Sequence, residues 1–132
     1  MAGAPAAVNV VTLFVQDLQR SKGFYERVFD ITAADEAEGT AIFELDNLFL
    51  RLLTRGEAVK EMLGDVPVAD PGSGASFKLA MFVDDLDARC AELAERGVSI
   101  VGPVDRPWGV RNAAFRDPDG HVWVFSAEIP EG

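Results

Sequence analysis

The side chains most often used for catalysis and metal binding are scarce in this chain. Among its 132 residues there is one histidine, His121, and one cysteine, Cys90. A metal site made from several histidines or cysteines of one chain is therefore excluded, and a Ser-His-Asp or Cys-His centre would have to use His121. The sequence has no Gly-x-Ser-x-Gly nucleophile motif, phosphate-binding loop or dinucleotide fingerprint. We interpret His121 as a residue at the edge of a turn and Cys90 as apolar filler on a helix face.

Acidic side chains clearly outnumber basic ones. With 12 Lys and Arg against 22 Asp and Glu, the formal net charge is −10. Nucleic acids and anionic membrane surfaces repel such a chain, so neither is expected as a partner. The excess is interpreted as a solubility device, with attraction of a cationic small molecule as the alternative.

Features of membrane or secreted proteins are also missing from the sequence. No apolar run approaches the ~20 residues of a membrane-spanning helix. Residues 1–8 lack the charged and apolar pattern of a secretory signal. Because a single cysteine fits a reducing compartment, we expect a cytoplasmic protein.

Hydrophobic patterning predicts the same series of elements twice, namely a strand, a helix and three more strands. Asp17 and Asp85 are expected to cap the two helices, and Gly97 is expected to end the second. The strands of the first series are predicted at residues 8–15, 31–36, 40–45 and 48–54. Those of the second are predicted at residues 76–83, 98–101, 110–116 and 121–128. A short helix is predicted between the two series, at residues 57–63.

A repeated motif supports an internal duplication. Phe14-Val15-x-Asp17-Leu18 recurs as Phe82-Val83-x-Asp85-Leu86, and each copy joins a strand end to a helix cap. One series alone could not bury both faces of its sheet, so the two are expected to share a core. The expected divisions of this single domain, residues 1–132, are a first βαβββ module at 8–54, a connector at 55–75 and a second module at 76–128.

These motifs, with Phe24-Tyr25 and with Asp117-Pro118-Asp119-Gly120-His121 before the last strand, resemble those of the vicinal oxygen chelate superfamily. That superfamily includes glyoxalase I, extradiol dioxygenases, fosfomycin-resistance enzymes and bleomycin-resistance proteins. The resemblance covers roughly residues 8–128. It implies an α+β fold of two βαβββ modules whose curled mixed sheets surround a cleft, and a homodimer as the assembly.

Enzymes of this superfamily hold a divalent metal with His, Gln or Glu side chains from four strands. Carried over to this sequence, the four positions are Val10, Arg51, Lys78 and Val124. Valine has no donor atom, and Arg and Lys carry the same sign of charge as the metal. The resemblance therefore implies no metal and no other cofactor. In this respect the chain looks more like the bleomycin-resistance branch, which lacks the metal and sequesters a bulky antibiotic.

Because side chains alternate along a strand, further residues are predicted to face the cleft, and several of them are aromatic. Trp108 lies in the loop Arg106-Pro107-Trp108-Gly109 and is a candidate stacking platform or lid. Trp123 is expected in the core, and Arg111 is a possible cleft residue whose face depends on the strand register. The predicted ligand-binding residues are Val10, Phe14, Phe49, Arg51, Lys78, Phe82, Trp108 and Val124.

A purely structural role is an open alternative for several of these residues. Arg51 and Lys78 could pair with acids such as Glu44 or Asp46. The phenylalanines could fill the core of a module, and Trp108 could be tucked against a sheet.

The expected function is that of a metal-free binding protein that sequesters a bulky aromatic small molecule such as an antibiotic, without catalytic residues. A mostly apolar wall with few convergent charges is typical of a small-molecule pocket. An alternative is a metal-independent lyase or isomerase in which Lys78 or Arg51 stabilises an oxyanion. A third hypothesis is a duplicated dimeric or regulatory module that binds no ligand.

Overall fold

The computed structural model describes residue 3 and residues 5–129, which form eight strands and three helices. In chain order these elements are β1 (Val10–Val15), α1 (Leu18–Phe29), β2 (Asp35–Ala37), β3 (Thr40–Glu44), β4 (Phe49–Thr54), α2 (Arg55–Glu61), β5 (Lys78–Phe82), α3 (Leu86–Glu95), β6 (Val101–Asp105), β7 (Val110–Arg116) and β8 (Val122–Glu128). They divide into two compact units. The first holds the described residues up to 26 and 31–68, and the second holds 27–30 and the described residues from 69 onwards. None of the helices in the described part of the chain has the length and apolar character needed to span a bilayer.

The sheet of the first unit has the strand order β1-β4-β3-β2, with β1 parallel to β4 and the other neighbours antiparallel. Because side chains alternate along a strand, one face of this sheet packs on α1. That face buries Leu13, Leu50 and Phe43. The ring of Tyr25 on α1 lies 6.2 Å from the ring of Phe43 and is also fully buried. Each such side chain stabilises the unit by about 1.5–3 kcal/mol.

The sheet of the second unit repeats this order as β5-β8-β7-β6, with β5 parallel to β8. Its core joins Leu86 and Leu93 of α3 with Phe115 and Trp123 of the sheet. Trp123 is 2% exposed, which confirms its predicted core position. The repeated order confirms the α+β class and the two βαβββ mixed sheets that the sequence predicts.

The helix that follows the first strand of each unit begins at the aspartate that the repeated motif predicts. Asp17 Oδ1 accepts a hydrogen bond from the Arg20 N–H at 3.1 Å, and Asp85 Oδ1 accepts one from the Ala88 N–H at 3.1 Å. After α3 the chain passes through Gly97 at a φ of +85°, a left-handed conformation that glycine adopts without strain. The predicted starts of α1 and α3 and the predicted end of α3 are thus confirmed by their capping groups.

Three predicted elements are shifted along the chain in the structure, whereas the other predicted strands keep their place and are at most two residues shorter at either end. The strand predicted at 98–101 is β6, which begins only at residue 101 and ends at residue 105. It begins later than predicted because the Val98 N–H donates to the Leu93 carbonyl at 2.9 Å, so Val98 belongs to the end of α3. The strand predicted at 31–36 is β2, whose pairing with β3 covers three residues. The helix predicted at 57–63 is α2, which spans residues 55–61 and therefore lies two residues earlier. It begins directly after β4, within the stretch predicted as a connector.

Candidate functional site

One face of the second sheet packs on α3, and we call the opposite face the second open face. Its side chains form three rows, each crossing β5, β8 and β7 in register. The rows are Lys78–Val122–Arg116, Ala80–Val124–Ala114 and Phe82–Ser126–Asn112. The face therefore has an apolar middle row of small side chains, with two cationic side chains at one end and an aromatic ring at the other.

Three of the predicted ligand-binding residues, Lys78, Phe82 and Val124, share the second open face. Phe82 is 85% exposed, so the alternative in which it fills the core is wrong. Val124 is buried in the central strand. Lys78 is exposed, and among the described residues it forms no ion pair, in contrast to the alternative that an acid neutralises it.

Trp108 lies in the turn between β6 and β7 and is 70% exposed, so the alternative of a tryptophan tucked against a sheet is wrong. The turn is held at its base, where the Arg106 N–H donates to the Val110 carbonyl at 2.7 Å. Arg106 Nε also donates to Asn112 Oδ1 at 3.1 Å, which links the turn to the second open face. The indole is thus presented on a short hairpin that the sheet supports.

The face of the first sheet opposite α1, which we call the first open face, carries the other four predicted residues, Val10, Phe14, Phe49 and Arg51. Val10 is 50% exposed and Phe49 43% exposed, whereas Phe14 is half-buried. The structure therefore brings the predicted residues together in two sets, one on each sheet, with Trp108 on the neighbouring turn.

Arg51 does not pair with Glu44 or Asp46, as one alternative expected, but with Glu61. Its Nη1 and Nη2 donate to the two carboxylate oxygens of Glu61 at 2.9 and 2.8 Å, and its Nε donates to the Thr40 hydroxyl at 3.0 Å. The pairing was missed because α2 folds back from the end of β4 and brings its last residue to Arg51. Hydrogen bonding between the two groups raises the pKa of Arg51 and lowers the pKa of Glu61.

The four positions that the resemblance assigns to the superfamily's metal ligands hold Val10, Arg51, Lys78 and Val124. None of these side chains offers the carboxylate, imidazole or amide donor that a divalent cation prefers, and two are cationic. Within the described ranges, no group of three or more His, Cys, Asp or Glu side chains is placed to hold a metal ion. The residues present at these positions do not fit a metal.

The single histidine is part of the turn between β7 and β8. His121 Nδ1 lies 2.7 Å from Asp117 Oδ2, and the N–H groups of Asp119 and His121 donate to Asp117 Oδ1 at 3.0 and 2.8 Å. Burial opposes the charged imidazole, but the hydrogen bond to Asp117 and its charge raise the pKa of His121 overall. His121 therefore lies at the edge of the turn, as predicted, and ties it to a buried carboxylate.

The single cysteine is half-buried on α3. Burial raises the pKa of the Cys90 thiol, and the charge of Asp87 adds to this effect. Because the thiolate is the nucleophile, a raised pKa makes this group a poor one.

The structure also contains an acidic hollow that the sequence analysis did not single out. It has a volume of about 310 Å³ and is lined by Asp84, Asp85, Leu86, Asp87, Arg111, Ala127 and Glu128. Arg111 is thereby placed on the α3 side of the sheet, where it binds Asp105 at 2.6 Å and Asp87 at 3.3 Å. Three acids within residues 84–87, directly after a predicted strand, were the available signal.

Comparison with known proteins agrees with this architecture. The family model for the Glyoxalase/Bleomycin resistance protein/Dioxygenase superfamily matches residues 7–125. Metallothiol transferase FosB from Bacillus licheniformis is 30% identical over 115 residues, which cover 86% of this chain and 70% of that protein. FosB from Lysinibacillus sphaericus is 27% identical over 121 residues, or 90% of this chain and 80% of that protein.

The similarity extends to solved structures. The crystal structure of a glyoxalase/bleomycin resistance protein/dioxygenase from Nocardioides superposes with a TM-score of 0.85 at 25% identity and covers 99% of this chain and 89% of that one. Since the family model also matches most of the sequence, this chain belongs to the glyoxalase/bleomycin resistance protein/dioxygenase superfamily.

Proposed function

We propose that this chain is a metal-free binding protein that sequesters a bulky aromatic small molecule, such as an antibiotic. The observation that carries the proposal is the position of Phe82 on the second open face, beside a row of small apolar side chains. A large aromatic side chain that remains 85% exposed there favours a surface that binds an apolar partner. Trp108 and Phe49 offer two more exposed rings for stacking.

The two FosB relatives are named metallothiol transferases, and the residues of this chain do not favour a metal-assisted activity of that kind. The side chains at Val10, Arg51, Lys78 and Val124 cannot replace the ligands that such chemistry requires. The proposal instead follows the bleomycin-resistance branch, in which binding alone protects the cell. The proposal also includes a cytoplasmic homodimer in which the modules at 8–54 and 76–128 act as one domain.

A metal-independent lyase or isomerase is the second candidate, and Lys78 is the residue that favours it. A cationic side chain without an acidic partner among the described residues could stabilise a developing oxyanion. Arg51 is less suited to this role than the sequence suggested, because Glu61 and Thr40 occupy its donors. Loss of turnover with retained binding in Lys78→Met would support this candidate, and unchanged turnover would remove it.

The main proposal is tested by titrating the purified full chain with a panel of aromatic antibiotics. Calorimetry and tryptophan fluorescence should show saturable binding, and chromatography should recover the ligand unchanged. Phe82→Ala should weaken binding by about tenfold, since truncating an aromatic anchor costs roughly 1–2 kcal/mol or more. Leu63→Ala is the matched control, because Leu63 is 88% exposed in the stretch after α2 and on neither open face.

The outcomes separate the hypotheses. Saturable binding without product supports sequestration, whereas a chemically altered ligand supports the enzyme. Absence of binding across the panel, or an equal loss in Phe82→Ala and Leu63→Ala, would contradict the proposed role of the second open face.

A further inference from the structure

We infer that the second open face binds an organic anion, whose charged group lies between Lys78 and Arg116 and whose flat apolar body lies on Ala80, Val124 and Ala114. This inference rests on the proposed function, which supplies an aromatic ligand but not its charge. Arg116 was not among the residues that the sequence singled out.

The two cationic side chains flank the same residue. Lys78 on β5 and Arg116 on β7 are both direct cross-strand neighbours of Val122 on β8. Their Cα atoms are therefore two strand spacings apart, or about 10 Å. Both long side chains can reach a carboxylate, sulfonate or phosphate placed above Val122, and the guanidinium can bind it through two donors.

Neither cation is neutralised within the part of the chain that the structure describes. No ion pair or side-chain hydrogen bond of Lys78 or Arg116 occurs there. Other basic side chains do have acidic partners in the structure, namely Lys22, Arg51, Lys60, Arg89 and Arg111. In a sequence with 22 acids and 12 bases, two adjacent cations without an acid favour an anionic ligand over a structural role.

The nearest acid in sequence is directed elsewhere. Asp117 follows Arg116, but side chains alternate along the strand, and the Asp117 carboxylate is fully buried. Its oxygens accept hydrogen bonds from the His121 backbone and lie against the His121 ring. The charge of Asp117 is thus used within the turn rather than opposite the two cations.

The next row of the face fits the remainder of such a ligand. Ala80 and Ala114 flank Val124 in register, about 7 Å along the strands from the cationic row. Two alanines leave space above the sheet for a flat ring, and Phe82 stands at the far side of that space. The matching ligand is an aromatic acid with its negative charge at one end. The sign of that charge is opposite to that of the cationic molecule which the net charge of −10 offers as an alternative.

Two dyes that share one aromatic body test the inference. 1-Anilinonaphthalene-8-sulfonate carries a sulfonate, and N-phenyl-1-naphthylamine is neutral. Two lost charge contacts on an exposed face should raise the dissociation constant of the sulfonate dye about tenfold in Lys78→Gln/Arg116→Gln, while affinity for the neutral dye stays within about twofold. Raising the salt concentration should weaken only binding of the sulfonate dye.

The double variant Lys60→Gln/Arg89→Gln is the matched control, because it removes the same charge from α2 and α3. Single variants of Lys78 and Arg116, each expected to lose about threefold, guard against a folding defect in the double variant. An unchanged dissociation constant of the sulfonate dye, or an equal loss in the control, overturns the inference while binding of the neutral dye still supports the proposed function. If neither dye binds, both are overturned.

Discussion

Arg51 at the centre of β4 and Glu61 at the end of α2 face each other through two parallel hydrogen bonds of 2.9 and 2.8 Å. Arg51 is the one basic side chain among the predicted ligand-binding residues of the first open face, and Glu61 neutralises its charge. On the second open face, Lys78 has no such partner among the described residues. Although both units have the same strand order, their open faces therefore differ in available charge.

Removing the Glu61 charge is expected to make the first open face attractive to anions. In Glu61→Gln the guanidinium of Arg51 loses its ionic partner, so the fitted stoichiometry of the sulfonate dye should rise from about one towards two per chain. The unfolding temperature should change by no more than about 2 °C, because exposed ion pairs contribute little to stability. Fluorescence titration and thermal unfolding measure the two effects.

Glu57→Gln serves as the control for that variant, because Glu57 pairs with Lys60 on the surface of α2. An identical stoichiometry in Glu61→Gln and wild type would show that the ion pair does not restrict the first open face.

Asp117 is expected to be the most sensitive polar residue of the second unit. Asp117→Asn should lower the free energy of unfolding by about 2 kcal/mol or more, because two half-buried backbone donors and the His121 ring lose a charged acceptor whose own side chain is fully buried. Urea unfolding followed by circular dichroism measures the change. Glu38→Gln, at an exposed position, should have a negligible effect, and equal stability of the two variants would contradict the assigned role of Asp117.

The contribution of His121 to stability should depend on pH. Its pKa in the folded protein is raised above the ordinary value of 6.5, so the folded state binds the proton more tightly than the unfolded chain. The stabilisation is therefore fully present below pH 6.5 and is lost as the pH rises through the higher folded-state pKa. The free-energy difference between wild type and His121→Gln should be larger near about pH 5.5 than near about pH 9.

Urea unfolding at both pH values tests this dependence, with Lys60→Gln as the variant whose difference from wild type should stay flat. A difference that is the same at both pH values, or larger at the alkaline one, would show that protonated His121 does not stabilise the turn.

The two aspartate caps should contribute equally, since they occupy the same position of the repeated motif. Asp17→Ala and Asp85→Ala should each lower the free energy of unfolding by about 1 kcal/mol, because each leaves one amide at a helix start without its acceptor. The double variant should be close to additive because the caps belong to different helices. Asp46→Ala, in the exposed β3–β4 turn, controls for the loss of an acidic charge.

The two helix caps and the core position of Trp123 were predicted correctly. Asp17 and Asp85 cap their helices because a side-chain oxygen needs only an amide three residues away. Trp123 lies in the core because strand alternation is set by the backbone itself. The boundary of β6 was wrong because Val98 is bound to Leu93, and the hydrophobicity of the segment does not reveal that contact.

The sequence by itself determined the duplicated βαβββ pattern and the capping residues, since both follow from residue identity and short-range periodicity. The assignment of Val10, Arg51, Lys78 and Val124 to the metal-ligand positions came instead from the resemblance to the superfamily. Only the tertiary structure decided that Arg51 binds Glu61 and that Lys78 and Arg116 flank Val122. The first contact depends on how α2 turns back after β4. The second depends on the register of three strands, which hydrogen bonding between strands distant in sequence determines and no local pattern encodes.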